Sequence, residues 1–184
     1  MRGPRKAPVP LDEDSLYSYA VRLLGQQMRT VAELKRLLRR RIPPGEEGQD
    51  RLERVVVRLK EQRYLDDIGY AHDYAKLRQE NSSFGRRRVQ QDLMRKGVHG
   101  EVIAKTLDAA YEGVGEEELA RRHLERKRIR KPASEKEAAR VARMLMRAGF
   151  STGTIVRILK KWDVGDDALL AIETADTEER ENES

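Results

Sequence analysis

Three histidines and one pair of neighbouring aspartates are the side chains whose types are most suited to catalysis or metal binding. The histidines are His72, His99 and His123, and none has an H-E-x-x-H pattern or carboxylates at metal-ligand spacing around it. His72 and His123 fall near apolar helix positions, which favours partly buried histidines over ligands. Asp66 and Asp67 are better explained as a helix start, because adjacent helical residues do not share a face. These residues predict neither a metal site nor a catalytic centre.

Phosphate-binding loops and reactive thiols are also missing from the sequence. It has no G-x-x-x-x-G-K-[ST] loop, and Gly113-Val114-Gly115 lacks the third glycine and the preceding strand of a dinucleotide-binding turn. The chain has no cysteine, which excludes disulfides and cysteine nucleophiles and fits a cytoplasmic protein. No apolar run approaches the roughly 18 residues that span a membrane. We therefore expect a cytoplasmic protein that is not an enzyme, needs no cofactor and does not enter a membrane.

Arginine is the chemically active residue type that recurs at a fixed spacing. Three segments share two apolar residues four positions apart, followed two residues later by an arginine. The apolar pairs are Leu34 and Leu38, Val89 and Leu93, and Val141 and Leu145, and the arginines are Arg40, Arg95 and Arg147. An i, i+4 apolar pair marks one face of a helix, so these arginines and their neighbours lie on the outward side.

The outward arginines predict a surface that binds phosphates or carboxylates, because a guanidinium can donate two parallel hydrogen bonds to either group. Further basic residues cluster at the start of the second segment and before the third. The candidate DNA- or protein-binding residues are Arg36, Arg40, Arg86, Arg87, Arg88, Arg95, Lys127, Arg128, Arg130, Lys131, Arg140, Arg143 and Arg147. Few aromatic residues are available for stacking on bases, so we expect weak, sequence-tolerant binding to single- and double-stranded DNA.

The elements that position these arginines repeat with a period near 50 residues. Each arginine-bearing helix has a helix before it and one after it, and no alternating apolar run predicts a strand. The sequence therefore predicts an all-α fold of three tandem three-helix, helix-turn-helix-like repeats in an elongated array that could be curved. The expected segments are a disordered basic arm (1–14), repeats at 15–64, 65–112 and 113–163, and an acidic tail (164–184). A turn-rich insertion, Pro43–Gly48, accounts for the longer spacing within the first repeat.

The boundaries of the second and third repeats carry specific signals. Asp66 is placed to cap a helix, with Leu65 and Tyr70 spaced as a hydrophobic staple. Gly97 and Gly149 occupy positions where a helix would end in a left-handed residue.

Charge is distributed unevenly along the chain. Charged residues make up 38% of the sequence, and the net charge is +6. Eight acids and one arginine follow Gly165, giving that part a charge of −7 and leaving +13 on the rest of the chain. A basic body predicts a polyanionic partner, and the tail either competes with that partner or serves only as a solvated end.

Two functional hypotheses fit these patterns. The segment from Arg147 to Lys161 resembles the turn and recognition helix of a helix-turn-helix protein, which would make the chain a DNA-binding transcriptional regulator. A protein that reads base sequence in a DNA groove does not explain why three such three-helix units are joined in one chain.

The second hypothesis rests on three groups of residues: Leu65-Asp66-Asp67 with Tyr70-Ala71, Phe84-Gly85 with Val89, Leu93 and Lys96-Gly97-Val98, and Arg147-Ala148-Gly149-Phe150-Ser151 with Ile155 and Leu159. Together they resemble the RecX family, regulators of the bacterial RecA recombinase. The sequence is similar to that family from about Ser15 to Trp162, most sharply between Tyr64 and Leu107. Ala148, the insertion after Ile42 and the acidic tail depart from the family pattern.

The resemblance implies three tandem three-helix repeats without enzymatic activity. It also implies binding in the groove of the RecA–DNA filament, with inhibition of ATP hydrolysis and strand exchange. The partners expected are the RecA filament and DNA, and we expect the chain itself to be a monomer.

Overall fold

A computed structural model describes residues 9–172 and 174 of the chain. This described part is helical, with no strand. Its first nine α-helices form three successive groups of three, and a further helical segment follows at 166–172. The nine are α1 (Glu13–Gln26), α2 (Val31–Leu38) and α3 (Glu46–Glu61); α4 (Asp67–Ser82), α5 (Arg86–Arg95) and α6 (Gly100–Tyr111); and α7 (Glu116–Arg126), α8 (Glu135–Arg147) and α9 (Thr152–Lys160). A short 3-10 helix, Arg39–Arg41, continues α2. The predicted all-α repeat fold is confirmed.

The two neighbouring aspartates before α4 have separate roles. Asp66 accepts hydrogen bonds from the backbone N–H groups of Ile68 (2.9 Å) and Gly69 (3.0 Å), as a helix cap does. Asp67 instead accepts a 2.9 Å bond from the backbone N–H of Val31, at the start of α2. The capping prediction is confirmed for Asp66, and the two carboxylates are not a catalytic pair.

The first core is built from the apolar faces of α1, α2 and α3. Leu34 and Leu38, the pair predicted to face inward, are fully buried, as are Leu52 and Leu59 of α3. The insertion after Ile42 is shorter than predicted, because α3 already begins at Glu46 inside it. Glu46 and Glu47 are favourable in a first helical turn because their charge complements the helix dipole.

The third repeat has its own core, centred on Phe150, Leu145 and Ile155. Residues 166–172 are helical, and Leu169 and Ile172 are buried in this same core. The first part of the predicted acidic tail is therefore packed against the third repeat. Residues 1–8 of the predicted basic arm and the end of the tail, 173 and 175–184, lie outside the described residues.

The chain divides into two compact units, and the division passes through all three helices of the second repeat. Of the described residues, the first unit comprises those up to Ala71 together with Leu93–Ile103. The second comprises His72–Asp92 and the described residues from Ala104 onward.

Within each unit, the start of one arginine-bearing helix packs on the turn that ends the next one. In the first unit, the Thr30 hydroxyl donates a 2.6 Å hydrogen bond to the carbonyl of Lys96, beside Gly97. In the second, the backbone N–H of Gly85 donates a 2.8 Å bond to the carbonyl of Ala148, beside Gly149. Both turn glycines have positive φ (76° and 89°), so the predicted left-handed helix ends are confirmed.

The length and polarity of the helices bear on membrane insertion. In the described part of the chain, every helix is too short or too polar to cross a bilayer.

Candidate nucleic-acid interface

The loop between α7 and α8 lies beside an exposed face of α8 and forms one wall of a groove. The loop turns sharply because Arg128 has a positive φ (54°) and the backbone N–H of Ile129 donates a 3.0 Å bond to the carbonyl of Leu124. At the other end, the Ser134 side chain caps α8 by accepting a hydrogen bond from the backbone N–H of Glu137 (3.3 Å).

The groove has a volume of about 560 Å³ and is open to solvent. Five of the predicted binding residues line it: Arg128, Arg130 and Lys131 from the loop, and Arg140 and Arg147 from α8. Arg140, Met144 and Arg147 fall at i, i+4 and i+7, so they share one face of the helix. The apolar side chains of Ile129, Pro132, Val141 and Met144 also line the groove.

The groove carries a strong positive charge. Its single acidic residue is Glu137, whose carboxylate accepts a 2.8 Å bond from the backbone N–H of Ala133. Lys131 forms an exposed ion pair with Asp163 at 2.8 Å. Because the Lys131 ammonium donates a hydrogen bond to the Asp163 carboxylate, the pKa of Asp163 is lower than its usual value. Within the described residues, the four arginines Arg128, Arg130, Arg140 and Arg147 form no ion pair. Their guanidinium groups are therefore available to an anionic ligand.

This arrangement can bind the sugar-phosphate backbone of a nucleic acid. Arginine matches a phosphate with its forked donors, and a row of cations along a groove can follow successive phosphates. No aromatic side chain lines the described groove, so it lacks a platform for base stacking. The geometry favours binding that depends on charge and shape more than on base sequence.

The other predicted cations of the third repeat lie outside the groove. Lys127 is exposed at the C-cap of α7. Arg143 is exposed on a different side of α8, where it borders a more apolar groove containing Ala139, Met146 and Ala171. The charge predicted for these positions is present at the surface, but it does not converge with the five groove cations.

The basic residues at the start of α5 are largely engaged within the protein. Arg86 forms a 2.6 Å ion pair with Asp108. Arg88 pairs with Asp92 at 3.3 Å, and its guanidinium lies 5.7 Å from the centre of the Phe84 ring. Both side chains therefore contribute to packing within the second unit, whereas Arg87 is exposed. The remaining candidates, Arg36, Arg40 and Arg95, are exposed and belong to the first compact unit.

Sequence reasoning missed the residues that shape the groove. Ile129, Pro132 and Met144 are apolar residues of its lining, and Glu137 holds the loop by accepting a hydrogen bond from the backbone N–H of Ala133. The i, i+4, i+7 spacing of Arg140, Met144 and Arg147 was the available signal for a shared face. No local pattern indicated that the preceding loop would lie against that face.

The histidines differ in burial. His123 is buried and its Nδ1 lies 2.9 Å from the Ser82 carbonyl oxygen, which fits a neutral ring donating to that carbonyl. His72 is exposed, so the prediction of partial burial is wrong for His72. It lies on α4 next to Asp73, on the side of that helix that faces solvent.

We expect stability to fall as the pH drops through the titration range of His123. Burial lowers the pKa of this histidine from 6.5, so below about pH 6.5 the unfolded chain binds a proton that the folded chain does not. Stability therefore falls with decreasing pH until the pH reaches the lower pKa that His123 has in the folded protein. Urea midpoints measured at about pH 7.5 and about pH 5.5 should differ less for His123→Gln than for the parent chain. A His123→Gln variant that keeps the parental pH dependence would contradict the assignment.

The face that a helix-turn-helix protein would use to read DNA is poorly exposed in α9. Thr154, Ile155, Val156, Ile158 and Leu159 are all buried. Only a narrow stripe of this helix and its C-cap is exposed. Two cations of the stripe form ion pairs with one acid, since the Glu117 carboxylate lies 2.5 Å from Lys161 and 3.8 Å from Arg157. A recognition helix needs an exposed, hydrogen-bonding face to contact base edges, and α9 offers little of one.

The fold and the groove define a class of protein: an all-helical repeat protein with a cationic groove suited to a polyanion. Comparison with known families specifies this class further. The family model described as "RecX, second three-helix domain" matches residues 66–107, and "RecX, third three-helix domain" matches residues 115–159.

Proteins named "Regulatory protein RecX" are similar over most of the chain. The protein of Mycobacterium sp. (strain JLS) is 35% identical over 156 residues, covering 81% of this chain and 82% of the relative. That of Trichlorobacter lovleyi is 33% identical, covering 79% of this chain and 94% of the relative. The crystal structure of RecX from Lactobacillus salivarius has a TM-score of 0.62 at 22% identity, covering 83% of this chain and 97% of that one. The chain belongs to the RecX family of regulatory proteins.

Proposed function

We propose that this protein inhibits a RecA-type recombinase by binding along the RecA–DNA filament, suppressing ATP hydrolysis and strand exchange and so modulating recombination and DNA repair. Membership of the RecX family supports a regulatory role, and the resemblance to that family implies RecA as the partner. The DNA component of the filament is the polyanion for which the basic body of the chain is suited.

The observation that carries the proposal is the groove beside α8. It gathers five cations around one acid, and the acid is already bonded to the backbone of the loop. Phosphate contacts of this kind position a protein on nucleic acid without reading its sequence. A regulator that must act wherever a filament forms requires this type of contact.

Binding can inhibit the filament by shifting its conformational population. A protein that binds one filament geometry better than another moves the population towards the favoured geometry. If the protein binds the two geometries with free energies that differ by about 1.4 kcal/mol, the ratio of their populations changes tenfold. The recombinase would then spend less time in the geometry needed for ATP turnover and strand exchange.

The test is DNA-dependent ATP hydrolysis by RecA from the same organism, with this chain added at increasing ratios. Hydrolysis should fall as the chain approaches stoichiometry with RecA, and filaments viewed by electron microscopy should shorten. The variant Arg140→Glu/Arg147→Glu should inhibit less at the same concentration, because both side chains line the groove. Unchanged hydrolysis and filament length at stoichiometric excess would overturn the proposal.

A further inference from the structure

A second cationic cavity lies in the first repeat, at residues absent from the predicted binding set. It has a volume of about 570 Å³ and is open to solvent. Its polar lining includes Arg22, Arg41, Tyr19, Ser15 and Ser18. The cavity belongs to the first compact unit, whereas the groove beside α8 belongs to the second.

The backbone holds these side chains in one place. Ser15, Ser18, Tyr19 and Arg22 fall at i, i+3, i+4 and i+7 of α1, so they form one stripe along that helix. Arg41 approaches from the 3-10 helix, where its carbonyl accepts a 2.8 Å hydrogen bond from the backbone N–H of Leu11. Its guanidinium lies 5.2 Å from the centre of the Tyr19 ring, a distance at which the ring attracts the cation.

The chemistry of the lining suits an oxyanion. Two guanidinium groups and three hydroxyls offer hydrogen-bond donors, and the single carboxylate is that of Asp14. Asp14 is almost fully exposed and forms a 3.3 Å ion pair with Arg58, which offsets its charge. Arg39 and Arg40 are exposed in the same 3-10 helix as Arg41 and extend the positive charge beyond the cavity.

We infer that this cavity binds a phosphodiester group of a DNA strand and gives the first repeat a DNA contact of its own. The inference rests on the proposed function only for the choice of DNA as the polyanion. An open, hydrated site gains little from a carboxylate on an acidic protein, because exposed ion pairs contribute about 0–1 kcal/mol. A nucleic acid also releases condensed counterions when its phosphates are neutralised, so exposed cations bind it more effectively.

The experiment measures the affinity of the full chain for fluorescein-labelled oligothymidylate by anisotropy, without RecA, over a range of salt concentrations. The variant is Arg22→Gln/Arg41→Gln, and the control is Lys60→Gln/Arg63→Gln. The control removes the same charge from exposed positions of the same unit that do not line the cavity. Circular dichroism and thermal melting establish that both variants fold.

We expect the cavity variant to bind about tenfold more weakly at 50 mM salt. The slope of log affinity against log salt should fall by about 1.4, the value for two lost contacts to single-stranded DNA. The control should change both quantities much less, and Arg22→Lys/Arg41→Lys should keep most of the slope because it keeps both charges.

Two results would overturn the inference. One is an equal loss of affinity in the cavity variant and its control, which would mean that DNA responds only to overall charge. The other is parental DNA binding by the cavity variant together with weakened binding to poly-glutamate, which would identify an acidic protein surface as the ligand. Because RecA is absent from this assay, failure of ATPase inhibition would not affect its outcome.

Discussion

Changing Arg128, Arg130, Arg140 and Arg147 to glutamate should weaken DNA binding by about 100-fold or more at low salt. All four side chains line the groove beside α8, and none forms an ion pair within the described residues. Each contact between an arginine and a phosphate contributes about 1 kcal/mol or more, and the new carboxylates also repel phosphates. The salt dependence should weaken as well, with a slope on duplex DNA smaller by about 3–4. Anisotropy titrations of labelled duplex and single-stranded DNA between about 50 and 200 mM salt measure both effects.

A matched control separates the groove from the total charge of the protein. The control changes four exposed cations of the same compact unit to glutamate, and none of them lines the groove. They are Lys76, Lys105, Arg122 and Lys136. Both variants lose the same net charge, so long-range attraction to DNA falls equally. Equal losses of affinity would show that the groove has no special role in DNA binding.

Replacing Gly149 with alanine should lower the free energy of unfolding by about 2–4 kcal/mol. Gly149 has a φ of 89°, a conformation that costs an alanine roughly 1–2 kcal/mol. A Cβ atom at this position would also lie 2.3 Å from the backbone nitrogen of Arg88 and 2.6 Å from its Cβ. These contacts belong to the junction between the start of α5 and the end of α8, so that junction must open to accept the new atom. Urea denaturation followed by circular dichroism at 222 nm measures the loss.

Gly113 provides the control for this prediction. Its φ is 69°, so alanine meets a similar backbone penalty, but no atom lies within 4 Å of a Cβ placed there. The difference in stability between Gly149→Ala and Gly113→Ala therefore reports the close approach of α5 to the turn. If the two variants are equally stable, the close packing at Gly149 contributes nothing to the fold.

The second helix of each repeat shows how much of the fold could be predicted from the sequence. The inward pairs Leu34 with Leu38 and Val89 with Leu93 are fully buried, because apolar periodicity fixes which face of a helix avoids water. Caps were predictable for a similar reason. Asp66 bonds to N–H groups two and three residues further on, and such a contact depends only on local sequence.

The sequence by itself determined the helices, their inward faces, several of their ends and the resemblance to a family, since each depends on residues close together in the chain. Only the tertiary structure decided which surface arginines converge. Arg128 and Arg130 reach the face of Arg140 and Arg147 because the loop folds back on α8, whereas Arg86 and Arg88 are held by Asp108 and Asp92. It likewise decided that Leu169 and Ile172 of the acidic segment are buried. These outcomes depend on contacts between distant residues, for which the spacing of residue types along the chain carries no information.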